Sequence, residues 1–181
     1  MVSGGARSDE SGDVGSGRPL ETFRDLARSL SPEAFEERFG SAFLLLTAVR
    51  PHASKSGSTT HLELLGDEDG TEKTSSLSTL VYPLRSAVHI VALGRAPESD
   101  VVIPDRSVSR LHAFMKRGAQ GGYLLLDAGS SNGTTINGTS VRAKGSGPPS
   151  PVVPGDSVRL GRLEFTFVSA PALQDFAAKQ R

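Results

Sequence analysis

Leu93-Gly94-Arg95, Ser107-Val108-Ser109-Arg110-Leu111-His112-Ala113 and Asp127-Ala128-Gly129-Ser130-Ser131-Asn132-Gly133-Thr134 punctuate the most informative stretch of the chain. Short apolar runs are joined there by loops that concentrate Arg, Ser, Asn and Gly. An arginine guanidinium is a rigid fork that matches two phosphate oxygens. Arg95 follows Gly94, whose missing side chain leaves room for a ligand. Ser109 offers one anion both a hydroxyl and a backbone N–H, Arg110 adds charge, and Ser131 offers a second hydroxyl. Asn132 carries an amide donor and an acceptor, which suits gripping an extended peptide main chain. Taken singly, Ser, Asn and Gly most often just make turns. Their order and spacing carry the further meaning.

Around this stretch, from Leu80 onward, short apolar segments recur every eight to twelve residues, the spacing of a β-sandwich or barrel. The candidate strands are 80–84, 89–93, 101–103, 112–116, 123–126, 134–136, 141–143, 157–160 and 163–168. Asn137-Gly138 predicts a tight hairpin turn. The prolines in 145–151 predict an exposed loop rather than a central strand. Leu173, Phe176 and Ala177 predict a short C-terminal helix over 170–179.

The N-terminal half reads differently. Residues 1–18 are Gly, Ser and charge, and predict a disordered tail. Leu20, Phe23, Leu26, Ala27 and Leu30 recur at helical spacing. Ser31-Pro32 is an N-cap followed by proline at the first helical position, and Gly40 is a stop. Two small helices with one apolar side follow. The run 43–49 is a buried strand or a buried helical segment, which periodicity does not separate. His61–Leu65 is a weak strand candidate, Asp67–Gly70 an acidic turn, and Thr71–Ser78 a polar linker. The expected division is a tail at 1–18, a helical and irregular extension with linker at 19–79, a strand-rich domain at 80–168 and a C-terminal tail at 169–181.

Composition narrows the function. The 181 residues include no cysteine, which excludes disulfides and thiolate chemistry. Hydrophobic content is 36%, low enough that part of the chain is expected outside any core. No apolar run approaches a membrane span, and the first residues lack a signal-peptide pattern, so a cytoplasmic protein is expected. Formal net charge is zero but uneven. Residues 1–79 hold 8 Lys/Arg against 13 Asp/Glu, and residues 80–168 hold 10 against 6. A basic body suits an anionic partner.

Ser109 and His112 stand three apart, but no strand-turn-helix elbow surrounds the serine and no third member stands out, so no catalytic residue is assigned. The histidines at 52, 61, 89 and 112 form no metal-ligand pair. Residues 129–134 lack the Gly-Lys-Ser/Thr of a phosphate-binding loop and precede a strand, and no cofactor is implied. Aromatic residues are 6% and do not alternate with Lys/Arg, which argues against a nucleic-acid platform.

The ordered set resembles the forkhead-associated (FHA) domain, a phosphothreonine-recognition module. The matching residues are Gly94-Arg95, Ser109-Arg110-Leu111-His112, Gly129-Ser130-Ser131-Asn132-Gly133-Thr134 and Asn137-Gly138, with Gly155-Asp156 and Leu160-Gly161 downstream. The resemblance covers roughly residues 80–168. It implies a mainly β fold: a sandwich of about eleven strands, here with a small N-terminal helical extension. It implies that Arg95 and Ser109 hold the phosphate and that Arg110 assists. Ser131 and Asn132 would contact the phosphothreonine and the peptide main chain, while Gly94, His112 and Gly133 shape the loops. The implied function is a non-enzymatic phosphothreonine-peptide adaptor in Ser/Thr kinase signalling. Its partner is a phosphothreonine-containing protein, a Ser/Thr kinase or its substrate. Variable loops at 96–99, 105–106 and 145–151 are expected to read the residues around the phosphothreonine. The alternative is a phospho-independent interaction or structural module that binds through the helices of 19–39. Thr71 and Thr74 in the linker are candidates for phosphorylation.

Overall fold

The computed structural model describes residues 16–50, 79–85, 90–118 and 122–180. The segments expected at His61–Leu65, Asp67–Gly70 and Thr71–Ser78, the histidines at 52, 61 and 89, and the tail before Ser16 lie outside the described residues.

In chain order the elements are β1 (Arg18–Pro19), α1 (Glu21–Ser29), α2 (Pro32–Phe39), β2 (Ala42–Val49), β3 (Leu80–Pro83), β4 (Ile90–Gly94) and β5 (Val101–Val102). Then follow β6 (Ala113–Arg117), β7 (Tyr123–Asp127), β8 (Thr134–Ile136), β9 (Thr139–Ser140), β10 (Ser150–Val152), β11 (Ser157–Leu160), β12 (Leu163–Ser169) and α3 (Ala170–Lys179). They form two sheets, in the orders β1-β3-β2-β12-β11-β8-β9 and β10-β7-β6-β4-β5. The mainly β sandwich is the architecture that the strand spacing predicts. No helix among the described residues is long and apolar enough to cross a membrane.

The sandwich core lies between the sheets and contains Leu44, Leu93, Ile103, Met115, Leu125, Leu160 and Phe165, all fully buried. A second core lies on the outer side of the larger sheet. There α1, α2 and α3 bury Phe23, Phe35, Phe39, Leu173 and Ala177 against Phe43, Leu45 and Val81. Phe35 and Phe39 meet at 4.9 Å between ring centroids, and Phe23 and Phe39 at 5.2 Å, edge to face. Burying one such ring is worth about 1.5–3 kcal/mol. Ser31 caps α2 by accepting the Ala34 N–H at 3.3 Å, with Pro32 in the first turn. The helices are tied together at their ends. Arg28 donates to the carbonyls of Ala178 and Gln180, and Gln174 donates to those of Ala27 and Leu30.

The sandwich begins before residue 80. Strand β2 lies between β3 and β12, and pairs along its whole length with β12 from Ala42↔Ser169 to Val49↔Leu163. Its register shifts beside Glu164, where the Thr47 hydroxyl donates to the Glu164 carbonyl. Ala42 and Leu44 face the sandwich core while Phe43 and Leu45 face the helices. A strand covered on both faces reads as a continuous apolar run, which is why periodicity left 43–49 undecided.

Three smaller expectations are corrected. The end of the presumed tail is ordered: Ser16 bridges Val102, and Arg18–Pro19 pair with Val81 and Leu80. Gly17 makes this crossing between sheets fit, because a Cβ there would lie 2.4 Å from the Tyr82 ring. Residues 150 and 151, expected at the end of the 145–151 loop, instead open strand β10; it sits at a sheet edge, where Pro151 needs no donor on its open side. The hairpin partner of β8 is Thr139–Ser140, directly after the Asn137-Gly138 turn, and not 141–143.

Candidate functional site

The loops at one end of the sandwich are held by the backbone before any side chain acts. Arg95 N–H donates to the Ser109 carbonyl at 2.9 Å, Ala96 N–H to Arg110 at 3.0 Å, and His112 N–H to Leu93 at 2.8 Å. The turn from Ser109 to His112 therefore lies against the end of β4. Gly94 permits that approach. A Cβ on it would stand 2.1 Å from the Arg110 carbonyl oxygen.

Arg95 is exposed, and its Nε donates to the Val108 carbonyl at 3.2 Å. Among the described residues its two terminal amino groups have no acceptor, which leaves those donors available. Ser109 is joined to the neighbouring loop, its hydroxyl oxygen accepting the Ser131 N–H at 3.0 Å. Asn132 Nδ2 donates to the Ser107 carbonyl at 2.8 Å. Arg95, Ser109, Ser131 and Asn132 thus share one edge. The Arg110 side chain is exposed and lines a hollow beyond that edge, together with Ala92, Ala96, Glu98, Ser99 and Leu111.

His112 is fully buried under this edge. Its Nδ1 accepts the Ser109 N–H at 2.9 Å, which leaves the proton on Nε2 to be donated to the Gly133 carbonyl at 3.2 Å. Both ring nitrogens are thereby occupied, and neither is placed to deprotonate the Ser109 hydroxyl. Burial pushes the imidazole below its usual pKa, against the opposing pull of the Gly133 carbonyl and Asp127. Gly133 has φ +74°, a conformation that favours glycine.

Three supporting residues, Ser107, Asp127 and Arg162, carry no expected role, and a fourth, Asp105, was expected in a peptide-reading loop but is paired with Arg162. Asp127 is buried and accepts four hydrogen bonds, from the N–H of Gly129 (2.7 Å) and Ser130 (2.8 Å) and from the hydroxyls of Ser130 and Thr134 (2.6 Å each). Burial raises its pKa, but these donors outweigh that and hold the carboxyl below its usual range. Asp105 and Arg162 brace the other loop. Arg162 Nη2 reaches Asp105 at 2.6 Å, Asp105 accepts the Ser107 N–H, and the Ser107 hydroxyl oxygen accepts the Arg162 N–H. Burial acts upward on the Asp105 carboxyl too, yet Arg162 and Ser107 bring it down to about 2. Ser107 also abuts Gly161, whose Cβ would lie 2.4 Å from the Ser107 carbonyl oxygen. The Asp-x-Gly-Ser pattern at 127–130 was a legible signal for a side chain capping its own turn. Arg162 offered none, because it reaches Asp105 only through the fold.

A two-sheet sandwich that gathers Arg, Ser and Asn on loops at one end defines a class of binding module. The FHA domain family model matches residues 91–161, and this part of the chain is an FHA domain. The oxoglutarate dehydrogenase inhibitor of Corynebacterium diphtheriae is 35% identical over 78 residues, 43% of this chain and 50% of that protein. The glycogen accumulation regulator GarA of Mycolicibacterium smegmatis is 35% identical over 83 residues, 45% of this chain and 48% of that protein. The chain therefore spans about half the length of the curated relatives it matches. Among solved structures, an FHA domain studied for phosphothreonine-dependent interactions is 26% identical, covering 71% of this chain and 95% of that one, with a TM-score of 0.44. An FHA domain from Chlamydia trachomatis is 25% identical, covering 71% and 97%, with a TM-score of 0.45.

Proposed function

We propose that this protein is a non-enzymatic adaptor that binds phosphothreonine peptides in Ser/Thr kinase signalling. Arg95 and Ser109 hold the phosphate, Arg110 adds positive charge, and Ser131 and Asn132 engage the phosphothreonine and the peptide main chain. Gly94, His112 and Gly133 shape the loops. The binding unit is the strand-rich segment 80–168 completed by β2, acting in the cytoplasm on a phosphorylated kinase or kinase substrate.

The observation that carries this reading is the meeting of Ser109 with Ser131 at 3.0 Å beside the exposed Arg95. A dianionic phosphate placed there meets charge-assisted donors from two loops at once. The helical alternative has less support, because the apolar side chains of α1 and α2 are spent inside the second core.

The test is titration of a phosphothreonine peptide library against wild type and Arg95→Ala. Binding by wild type that the variant loses is expected. Equal binding by both would sink the proposal.

A further inference from the structure

The two outer faces of the sandwich are treated unequally. On the larger sheet, three helices cover the outer face of β2, β3 and the end of β12. On the smaller sheet no element among the described residues lies over the outer face, yet that face is apolar. The register places Ala92, Phe114 and Leu126 side by side across β4, β6 and β7. The next row out holds Ile90, Lys116 and Leu124, with Pro151 beyond. Ile90 is 43% exposed, and Ala92, Phe114, Leu124 and Leu126 are half-buried. An alternating strand whose outward positions are also apolar calls for a covering partner.

The stripe is continuous with the phosphate loops. The hollow beside Arg110 has a volume of about 500 Å³ and is lined by Ala92 of the stripe together with Ala96 and Leu111, itself 45% exposed. Its wall is fixed to the Ser109 loop, since the Arg110 carbonyl accepts the Ala96 N–H at 3.0 Å and packs against Gly94. A chain leaving the loop edge can thus run through the hollow, past Glu98 and Ser99, onto the sheet.

Charge selects the occupant. Lys144 Nζ stands 5.6 Å over the Phe114 ring, and Lys116 lies within the outer row. Among the described residues neither lysine has a carboxylate partner. A second copy placed face to face would bring lysine against lysine, which opposes self-association. An acidic and apolar segment would meet complementary charge.

We propose that this stripe is a second docking surface for the phosphothreonine protein, receiving an apolar segment flanked by Asp or Glu and distant from the phosphothreonine in sequence. The inference rests on the phosphothreonine reading above and names what else the partner must carry. The outer row at Ile90 stands five residues along β4 from Arg95, and an extended chain advances about 3.3 Å per residue, so the segment lies about five residues or more from the phosphothreonine.

The experiment uses the full chain and a phosphothreonine library randomised to ten residues on each side. The best long peptide is then compared with its truncation to three residues on each side. Wild type should select large apolar and acidic residues at distal positions on one side, and should bind the truncation about tenfold more weakly. Leu124→Glu and Lys116→Glu should bind the truncated peptide as wild type does and lose the advantage of the long one. Equal binding of both lengths by wild type overturns the inference alone, as does a long-peptide advantage that survives in both variants. A dimer in sedimentation that Leu124→Glu abolishes also overturns it, by giving the stripe to a second copy. Failure of wild type to bind either length overturns the phosphothreonine reading and this inference together.

Discussion

The hydroxyl oxygen of Ser109 accepts the backbone N–H of Ser131 at 3.0 Å, and this one bond joins the two loops on which the proposed site depends. Ser109→Ala removes the acceptor and a phosphate donor together. A hydrogen bond to a charged group is worth about 1.5–3 kcal/mol, so affinity for a phosphothreonine peptide should fall roughly ten- to a hundredfold. Calorimetric titration measures it, and a melting temperature within a few degrees of wild type separates lost binding from lost fold.

Arg95→Lys keeps the positive charge but loses the fork. The Nε bond to Val108 at 3.2 Å disappears, and an ammonium meets the phosphate as a point charge. The variant should bind more weakly than wild type and more tightly than Arg95→Ala. Raising salt should weaken it further. Recovery of full wild-type affinity in Arg95→Lys would count against two-pronged recognition.

His112 makes stability depend on pH with a definite sign. Burial lowers its pKa in the folded chain below the ordinary 6.5. Above that value both states hold a neutral ring, and its contribution is fully present. As the pH falls below 6.5 and through the folded pKa, the unfolded chain gains the proton first and stability drops. Denaturant midpoints at pH 7.5, 6.5 and 5.5 should decline for wild type more steeply than for His112→Gln. Asp105 adds a separate acid limb, complete above the usual carboxylate pKa and lost as the pH falls through about 2.

Gly94→Ala tests the close approach of β4 to the turn at Arg110. With only 2.1 Å to the carbonyl oxygen, a methyl group forces the strand end and the turn apart. Overpacking of this kind costs about 1–3 kcal/mol. Both the melting temperature and phosphopeptide affinity should fall. Ala substituted at Gly129, where no atom lies within 4 Å, should cost only backbone strain.

Phe35→Ala empties the centre of the helical layer. Truncating a fully buried phenylalanine costs about 3–5 kcal/mol. The layer lies on the larger sheet, remote from the loop edge, so the folded variant should keep its phosphopeptide affinity. A fall in affinity in step with stability would show that the helices communicate with the loops.

What the sequence revealed follows the range of the interactions. The Asn137-Gly138 hairpin, the cap at Ser31 and most strands from Leu80 onward, though not β9 or β10, are written in neighbouring residues, and they were legible. The central place of Ala42–Val49 was not, because it depends on pairing with Leu163–Ser169 from the other end of the chain. The ordering of Ser16 to Pro19 was hidden for the same reason: a polar segment acquires structure there only because two sheet edges supply backbone partners. Within the site, the residues that face outward were found by the chemistry of their side chains. Of those that hold the loops from behind, Asp105 and Ser107 bond locally, but Arg162 reaches both only through the fold.

The pairing of β2 with β12 also sets a timetable for biosynthesis. A nascent chain can fold α1 and α2 locally, but β2 has no partner on one side until Leu163–Ser169 leaves the ribosome. Until then a strand apolar on both faces stands uncovered, the form most exposed to mispairing with another chain. The Arg95 and Ser109 loops are complete in sequence long before, yet the sheet that carries Gly161 behind Ser107 is closed by that last strand. A chain stalled before residue 163 should therefore be aggregation-prone and, on the proposed function, blind to phosphopeptide.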